Sequence, residues 1–274
     1  GKSTLIAEFA SQSAQTFISI VGLAPRKGMT DARQRRHFCE KIAEIAEREY
    51  REANTWSKAF RQLDELIDNR GRTVVLLDEI SWMGGYDPDF AGYFKEAWDE
   101  YLRKHGNLIF VLCGSVSSWI AENILNSTGF VGRDSFDLEL GELSLFDSVT
   151  LFGPTGARLS TTEKLDILSL TGGVPKYLEE IRPELSVDEN FRRLCFLPRS
   201  LLFREFDETF SRVFGQRVAT RGRILRLLVD GRRSVSELAD SEERSVNGSY
   251  AEVLRDLCYA GFVAEESGMN PLTG

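Results

Sequence analysis

Residues Thr73-Val74-Val75-Leu76-Leu77-Asp78-Glu79 form an unbroken apolar run that ends in two adjacent acids. Branched apolar side chains without polar alternation are typical of a strand that is buried on both faces. The acids stand at the point where such a strand would leave the sheet. The stretch therefore predicts a central strand whose carboxyl end carries both carboxylates.

Two other apolar runs, at residues 16–23 and 108–113, have the same character. Apolar residues at helical spacing fill the stretches between the runs, at 31–49, 55–68 and 90–104. Buried strands that alternate with amphipathic helices predict an α/β fold with a parallel sheet covered on both faces. Right-handed crossovers place the carboxyl ends of all strands along one edge, where open α/β sheets bind ligands.

The sequence begins with Gly1-Lys2-Ser3-Thr4, the second half of a phosphate-binding P-loop, G-x-x-x-x-G-K-[ST]. In this loop, N–H groups at a helix N-terminus surround phosphate oxygens, the lysine adds positive charge, and the next hydroxyl coordinates Mg²⁺. We therefore expect all four residues to bind a nucleotide, with Ser3 also at the metal. A chance match at the start of a surface helix is the alternative. Because the first half of the motif is missing, we expect an N-terminally truncated fragment.

The two acids complete this chemistry. Phosphoryl transfer needs positioned charge and a positioned water rather than covalent participation of the protein. Asp78 suits Mg²⁺ through its water shell, and Glu79 suits the base that activates the attacking water. The alternative is an ordinary strand that ends in two solvated acids. The upstream tetrapeptide, with room for one strand and two helices between, favours the catalytic interpretation.

Further candidates follow the third apolar run. Ser115 suits a hydrogen bond to the γ-phosphate or the attacking water, and it equally suits a helix N-cap. Arg133 suits charge stabilisation at the γ-phosphate, with a solvated surface arginine as the alternative. Gly172 and Gly173 permit close backbone approach to a ligand, and Pro175 suits the first turn of a helix. A plain turn between helices explains the same pattern.

The strand signal fades after the first half of the chain. Short helical stretches follow at 144–152, 161–170, 174–182, 187–195 and 199–213. From about 216, three helical stretches precede Gly261-Phe262-Val263, the order of a winged helix. We therefore expect a P-loop NTPase core at 1–141, a helical subdomain at 142–214 and a winged helix, truncated at its C-terminus, at 215–274.

Composition limits the classes of function. The chain has 34 Lys and Arg against 42 Asp and Glu, a formal net charge of −8. A negative field does not attract nucleic acid, whose backbone requires a basic face. Four scattered cysteines and two histidines provide no convincing zinc site. No apolar run approaches the ~20 residues that span a bilayer, so we expect no membrane partner. The scattered cysteines suit buried free thiols, so we expect a reducing, cytoplasmic location.

Four segments together carry a family resemblance, at 77–83, 113–119, 127–133 and 171–175. With them the chain resembles the bacterial and archaeal "archaeal-type ATPase" group, in the STAND branch of AAA+ P-loop NTPases, over nearly its whole length. The resemblance implies an AAA+-like core, a helical lid and a winged helix, often followed by a nuclease-like region. By position it implies the following roles: P-loop residues Lys2, Ser3 and Thr4; Walker B acids Asp78 and Glu79; first sensor Ser115; sensing arginine Arg133; and lid contacts to the nucleotide from Gly173 and Pro175.

Three functions stay open from the sequence. The first is a conformational switch that binds ATP and Mg²⁺, closes, and is reset by hydrolysis to ADP. The second is a DNA-binding regulator acting through residues 216–270, although arginines alternate with acids there and a protein-packing role is favoured. The third is a nucleotide-bound scaffold for an effector, such as a nuclease-like domain, with little turnover. An oligomer is compatible with all three, and we expect weak or absent ATP affinity for residues 1–274 alone.

Overall fold

The computed structural model describes residues 1–68, 70–114, 118–153, 156, 158–204, 218–242, 245 and 247–266. The chain divides into two compact units, one of Gly1–Leu5 with Ser135–Phe210 and the other of Ile6–Asp134 with Ser211–Gly274. The three domains expected from the sequence stay a prediction. Among the described residues, no helix is both long enough and apolar enough to cross a membrane.

A three-stranded parallel sheet forms the centre of the larger unit. Its strands are β1 Thr16–Val21, β2 Thr73–Asp78 and β3 Leu108–Leu112, in the order β1-β2-β3. The register places Val21 opposite Asp78, and Leu77 opposite Leu112. The carboxyl ends of the three strands therefore share one edge, and the predicted parallel α/β fold is confirmed.

Burial differs between the strands. All six residues of β2 are buried, as a central strand requires. The five residues of β3 are only partly buried, although their continuous apolar sequence predicts a buried strand. The difference follows from position, because no strand within the described residues pairs with the outer edge of β3.

Helices connect the strands. They are α1 Lys2–Ser13, α2 Asp31–Ile45, α3 Trp56–Asp64, α4 Ile80–Gly84, α5 Phe90–Glu100 with a 3₁₀ turn Leu102–Lys104, and α6 Ser118–Ile120 with a π turn Ala121–Leu125. The hydroxyls of Thr30 and Thr55 accept N–H groups of the first turns of α2 and α3, as N-caps do. Helix α2 ends before the predicted residue 49, because Glu47 adopts a left-handed conformation with φ +49°.

An aromatic cluster holds α2, α3 and α5 together against the sheet. Its rings are Phe38, Trp56, Phe60, Phe90 and Phe94, all of them buried. Ring centroids lie 4.7 Å apart for Trp56 and Phe90, and 5.6 Å apart for Phe60 and Phe94, both in edge-to-face geometry. Such pairs add stability beyond their buried area. The cluster therefore supports the sheet behind the two acids.

The smaller unit is helical. Its elements are α7 Leu145–Thr150, α8 Thr161–Thr171, α9 Pro175–Leu178 and α10 Val187–Phe191 with a π turn Arg192–Phe196. Reciprocal capping boxes begin two of these helices, Ser160 with Glu163 and Ser186 with Glu189. They enclose a separate core of Phe152, Leu159, Ile167, Leu168, Leu178, Ile181 and Leu194. Most of the helix predicted at 199–213 lies outside the described residues.

Three helices form the C-terminal part of the larger unit, α11 Val218–Val229, α12 Val235–Ser241 and α13 Gly248–Tyr259. A buried ion pair between Arg221 and Asp256 joins α11 to α13, and α13 also contacts α6. No strand follows α13 within the described residues up to 266. The winged helix therefore stays a prediction, since the rest of the expected wing lies beyond that point.

Candidate functional site

The two acids stand at the carboxyl end of β2. Asp78 is only 8% exposed, and its Oδ1 accepts the N–H of Glu79 at 3.0 Å. Glu79 adopts a left-handed conformation, with φ +52° and ψ +48°. A residue with a Cβ rarely adopts this conformation, and it persists where its surroundings enforce it, often at functional sites. The chain thus makes a strained turn between β2 and α4.

Hydrogen bonds fix this turn from both neighbouring strands. On one side, Gly22 at the end of β1 donates its N–H to the Asp78 carbonyl at 2.9 Å. On the other side, Ile80 donates its N–H to the carbonyl of Cys113, after β3, at 3.0 Å. The predicted convergence of strand ends is therefore present within this unit for the turns at 22, 79 and 113.

Glycines make this close approach sterically feasible. A Cβ on Gly22 would lie 2.8 Å from the carbonyl oxygen of Glu79 and 3.1 Å from Cγ of Met83. A Cβ on Gly114 would lie 2.8 Å from Cδ1 of Ile120 and 3.9 Å from the Cα of Glu79. Contacts under 3.0 Å require something to move, and a backbone carbonyl moves only with its turn.

A buried glutamine fixes the loop that carries Gly22. The Gln34 side chain, on α2, donates from Nε2 to the Leu23 carbonyl at 2.8 Å and accepts the Leu23 N–H on Oε1 at 3.0 Å. The residue is 2% exposed. Sequence reasoning missed both Gly22 and Gln34. A glycine inside an apolar run is the one signal that indicated close backbone approach.

The GKST residues lie at the start of α1. The Leu5 N–H donates to the Gly1 carbonyl at 3.1 Å, so helical hydrogen bonding begins at Gly1. The first turn contains no acid, and Ser3 and Thr4 are exposed. A helix N-terminus of this kind favours anions. These residues belong to the smaller unit and the acids to the larger one, so the meeting of Lys2 with Asp78 stays a prediction.

Arg133 forms a bidentate ion pair with Asp99, near the C-terminal end of α5. Its Nε lies 2.9 Å from Oδ1 and its Nη2 lies 2.8 Å from Oδ2, while Lys95 donates to Oδ2 at 3.2 Å. Hydrogen bonding to Arg133 lowers the pKa of Asp99 to about 2. Helix α5 begins beside α4, where Phe90 packs, and nine residues at 1.5 Å each place Asp99 roughly 14 Å further along its axis. The predicted role at the γ-phosphate therefore requires this pair to open.

The Gly-Gly turn has a structural explanation within the smaller unit. The N–H of Leu143 donates to the Gly173 carbonyl at 2.8 Å, and a Cβ on Gly173 would collide with the Leu143 backbone. Gly172 has φ +55°, a conformation that favours glycine. Pro175 occupies the first turn of α9. Contact of Gly173 or Pro175 with a nucleotide stays a prediction, and Ser115 lies outside the described residues.

The structure is similar to that of a Walker-type ATPase of Pyrococcus abyssi, with a TM-score of 0.69, 18% sequence identity, and coverage of 97% of this chain and 83% of that chain. The likeness is one of fold. No protein-family model matches the sequence, and no curated protein matches it in sequence. The comparison therefore shows a likeness of fold alone, and the activity has to be argued from the site.

The acids fit the way proteins hold magnesium. Within the described residues, no group of three or more His, Cys, Asp or Glu side chains is arranged to hold a metal ion. Mg²⁺ is usually bound by one or two carboxylates, with waters and substrate phosphates completing its octahedron. A single nearly buried carboxylate at the strand end, Asp78, meets that requirement.

Proposed function

We propose that this protein binds ATP with Mg²⁺ at the carboxyl edge of the sheet, hydrolyses it slowly, and acts as a nucleotide-dependent switch of the STAND type. One observation carries the proposal: the Asp78-Glu79 turn is held in a strained conformation by hydrogen bonds from the ends of both neighbouring strands. A structural turn has no need of two acids in that conformation. The P-loop sequence Gly1-Lys2-Ser3-Thr4 and the Walker-type fold support the same conclusion.

The residues would divide the chemistry as follows. Magnesium, when bound, supplies positive charge at the phosphates. Asp78 would hold its water shell, and Ser3 would offer a hydroxyl ligand. Glu79 would accept a proton from the attacking water and orient it. Lys2 and the first-turn N–H groups of α1 would bind the phosphates.

The remaining predicted contacts enter as parts of the proposal. Ser115, three residues after the end of β3 in the sequence, would bind the γ-phosphate or the attacking water. Arg133 would exchange the Asp99 carboxylate for the γ-phosphate, since a bidentate guanidinium binds either anion. Gly173 and Pro175 would contact the nucleotide from the helical lid.

A contact supports the switch. Helix α13, in the C-terminal part, touches α6, the next described helix after β3 in the chain. A rearrangement at the carboxyl end of β3 upon nucleotide binding would therefore reach the C-terminal helices within the same unit. Coupling between a nucleotide site and a second site requires a packed element whose arrangement both sites influence, and α6 would be that element.

ATP binding tests the proposal. We would measure binding of a fluorescent ATP analogue with and without Mg²⁺ for a chain in which the first half of the P-loop motif precedes Gly1, and for its variants Lys2→Ala, Asp78→Asn and the control Lys104→Ala. The expected result is Mg²⁺-dependent binding that Lys2→Ala weakens at least tenfold. Asp78→Asn should remove the Mg²⁺ dependence, while Lys104→Ala, an exposed residue on the 3₁₀ turn, should change nothing. Equal binding by all four proteins would contradict the proposal.

Two alternative functions are a DNA-binding regulator and a nucleotide-bound scaffold with little turnover. Against DNA binding, two arginines of the C-terminal helices are paired with acids, Arg221 with Asp256 and Arg223 with Glu242 at 2.9 Å. A salt-dependent shift of duplex DNA by the protein would reverse this preference. A scaffold with little turnover keeps the same phosphate and metal ligands, and single-turnover hydrolysis with and without a partner separates it from a switch.

A further inference from the structure

We propose that Gly22, fixed by the Gln34 side chain, is the positioning site that sets the conformation of Glu79 and through it the direction of the catalytic carboxylate. The inference deepens the proposed hydrolysis and rests on it. It assigns a role to a residue that directly follows β1 and to a residue on α2, and neither belongs to a nucleotide-binding motif.

Gly22 lies directly against the turn that carries Glu79. Gly22 is buried, and its N–H is already used by the Asp78 carbonyl at 2.9 Å. Its missing side chain faces the turn, because a Cβ would lie 2.8 Å from the Glu79 carbonyl oxygen and 3.2 Å from Cβ of Trp82. That same carbonyl accepts the first helical N–H of α4, from Trp82, at 2.9 Å.

The backbone of the turn is strained at Glu79. Glu79 is one of three residues other than glycine with positive φ among those described. Such a conformation is strained and needs surroundings that hold it. Gly22 bounds the turn on the β1 side, and the Ile80 to Cys113 hydrogen bond bounds it on the β3 side. A Cβ at Gly22 would therefore force the Glu79 carbonyl, and with it the turn, to move.

The Gln34 side chain holds the loop that begins with Gly22. Residues 22–30 form no helix or strand, so pairing between strands does not fix the loop beyond Gly22. The two hydrogen bonds between the Gln34 amide and the Leu23 backbone fix it instead. Because Gln34 is buried on α2, the loop is tied to a helix that the aromatic cluster already fixes. The position of Glu79 is thus set by α2 through Leu23 and Gly22.

Two variants test the proposal, each with a matched control. Gly22→Ala introduces the colliding Cβ, whereas Gly106→Ala adds a Cβ where nothing lies within 4 Å. Gln34→Met keeps the buried volume and removes both hydrogen bonds. Gln62→Met removes a hydrogen bond from another buried glutamine, which donates to the Arg51 carbonyl at 3.0 Å away from the turn. A second variant that does not add volume keeps the test valid if Gly22→Ala fails to fold.

The measurements, all on a chain in which the first half of the P-loop motif precedes Gly1, are kcat and KM for ATP, the Kd for ATP, and amide hydrogen exchange of the peptide 78–84. A misplacement of about 1 Å can cost about 10²-fold in rate, so we expect kcat to fall at least about tenfold in Gly22→Ala and Gln34→Met, with ATP Kd within about threefold. Exchange of 78–84 should become faster in both. The two controls should match the wild-type protein in every measurement.

The outcomes separate this inference from the proposed function. If Gly22→Ala and Gln34→Met match their controls in kcat and in exchange, the positioning role is refuted while hydrolysis stands. A loss of kcat with unchanged exchange also refutes it. If the wild-type protein shows no hydrolysis, the proposed function fails. Exchange of 78–84 then decides alone whether Gly22 sets the turn, and unchanged exchange refutes the inference.

Discussion

Replacing Phe60 with alanine should lower the free energy of unfolding of the larger unit, because the aromatic cluster encloses the ring that is removed. Phe60 is 0% exposed, and its ring lies 5.6–5.8 Å from the rings of Phe38, Trp56, Phe90 and Phe94. Removal of a buried phenylalanine costs about 3–5 kcal/mol through lost transfer energy and an unfilled cavity. Against a typical stability of about 5–15 kcal/mol, this is a large fraction of the total.

Urea denaturation followed by tryptophan fluorescence measures the effect. All four tryptophans lie between residues 56 and 119, so the signal reports the unit that contains Phe60. With an m-value of about 2 kcal/mol/M, the midpoint should fall by about 1.5–2.5 M at unchanged m. Phe60→Leu retains most of the volume and should cost less than Phe60→Ala.

An exposed apolar residue supplies the control. Val131 is 73% exposed, so Val131→Ala should change the free energy of unfolding by no more than about 0.5 kcal/mol. A loss below about 1 kcal/mol for Phe60→Ala would show that the ring is not enclosed by the cluster. The packing of α2, α3 and α5 described above would then be wrong.

Three other predictions concern the ion pairs and the P-loop. Asp256→Leu removes the carboxylate that pairs with buried Arg221 and should lower the free energy of unfolding by about 3–5 kcal/mol in urea denaturation. Arg221→Met combined with Asp256→Leu should recover most of that loss, because no unpaired charge then stays buried. Equal losses in the single and the double variant would refute the buried pair. Arg133→Gln should raise the pKa of Asp99 from about 2 toward its ordinary value in an NMR titration. Because the folded-state pKa is depressed, the stabilisation by this pair is present above the ordinary pKa of about 3.9 and is lost as the pH falls toward 2, and an unchanged pKa in the variant would contradict the pairing. Residues 1–274 alone should bind ATP weakly or not at all, compared with a chain in which the first half of the P-loop motif precedes Gly1, and micromolar affinity of residues 1–274 by calorimetry would contradict this.

The sheet was largely predictable because its signal is local. Apolar runs at 16–23, 73–77 and 108–113 gave all three strands within about two residues at each end. Helix ends were less predictable, since helical spacing continues past the point where a left-handed residue or an extended one stops the helix. Tyr101, with φ −144°, ends α5 before the predicted residue 104 in this way.

The site was predictable only where chemistry follows the chain. Asp78 and Glu79 were visible because a buried strand ends in two acids. The pairing of Arg133 with Asp99 was not, because the partners lie 34 residues apart and nothing in the sequence marks them. The Gln34 contact with Leu23 is equally a product of tertiary packing. Burial turns an ordinary glutamine into the group that fixes the loop beside the acids.

Single-turnover hydrolysis by Glu79→Gln tests the central claim most directly. The isosteric amide keeps the shape of the side chain but cannot accept the proton of the attacking water. Loss of a general base typically costs about 10²–10⁴-fold, so a chain in which the first half of the P-loop motif precedes Gly1 should hydrolyse Mg²⁺-ATP at least about a hundredfold faster than its Glu79→Gln variant at equal ATP affinity. Equal rates in both proteins, or an unsubstituted chain of this kind that neither binds nor hydrolyses ATP, would contradict it.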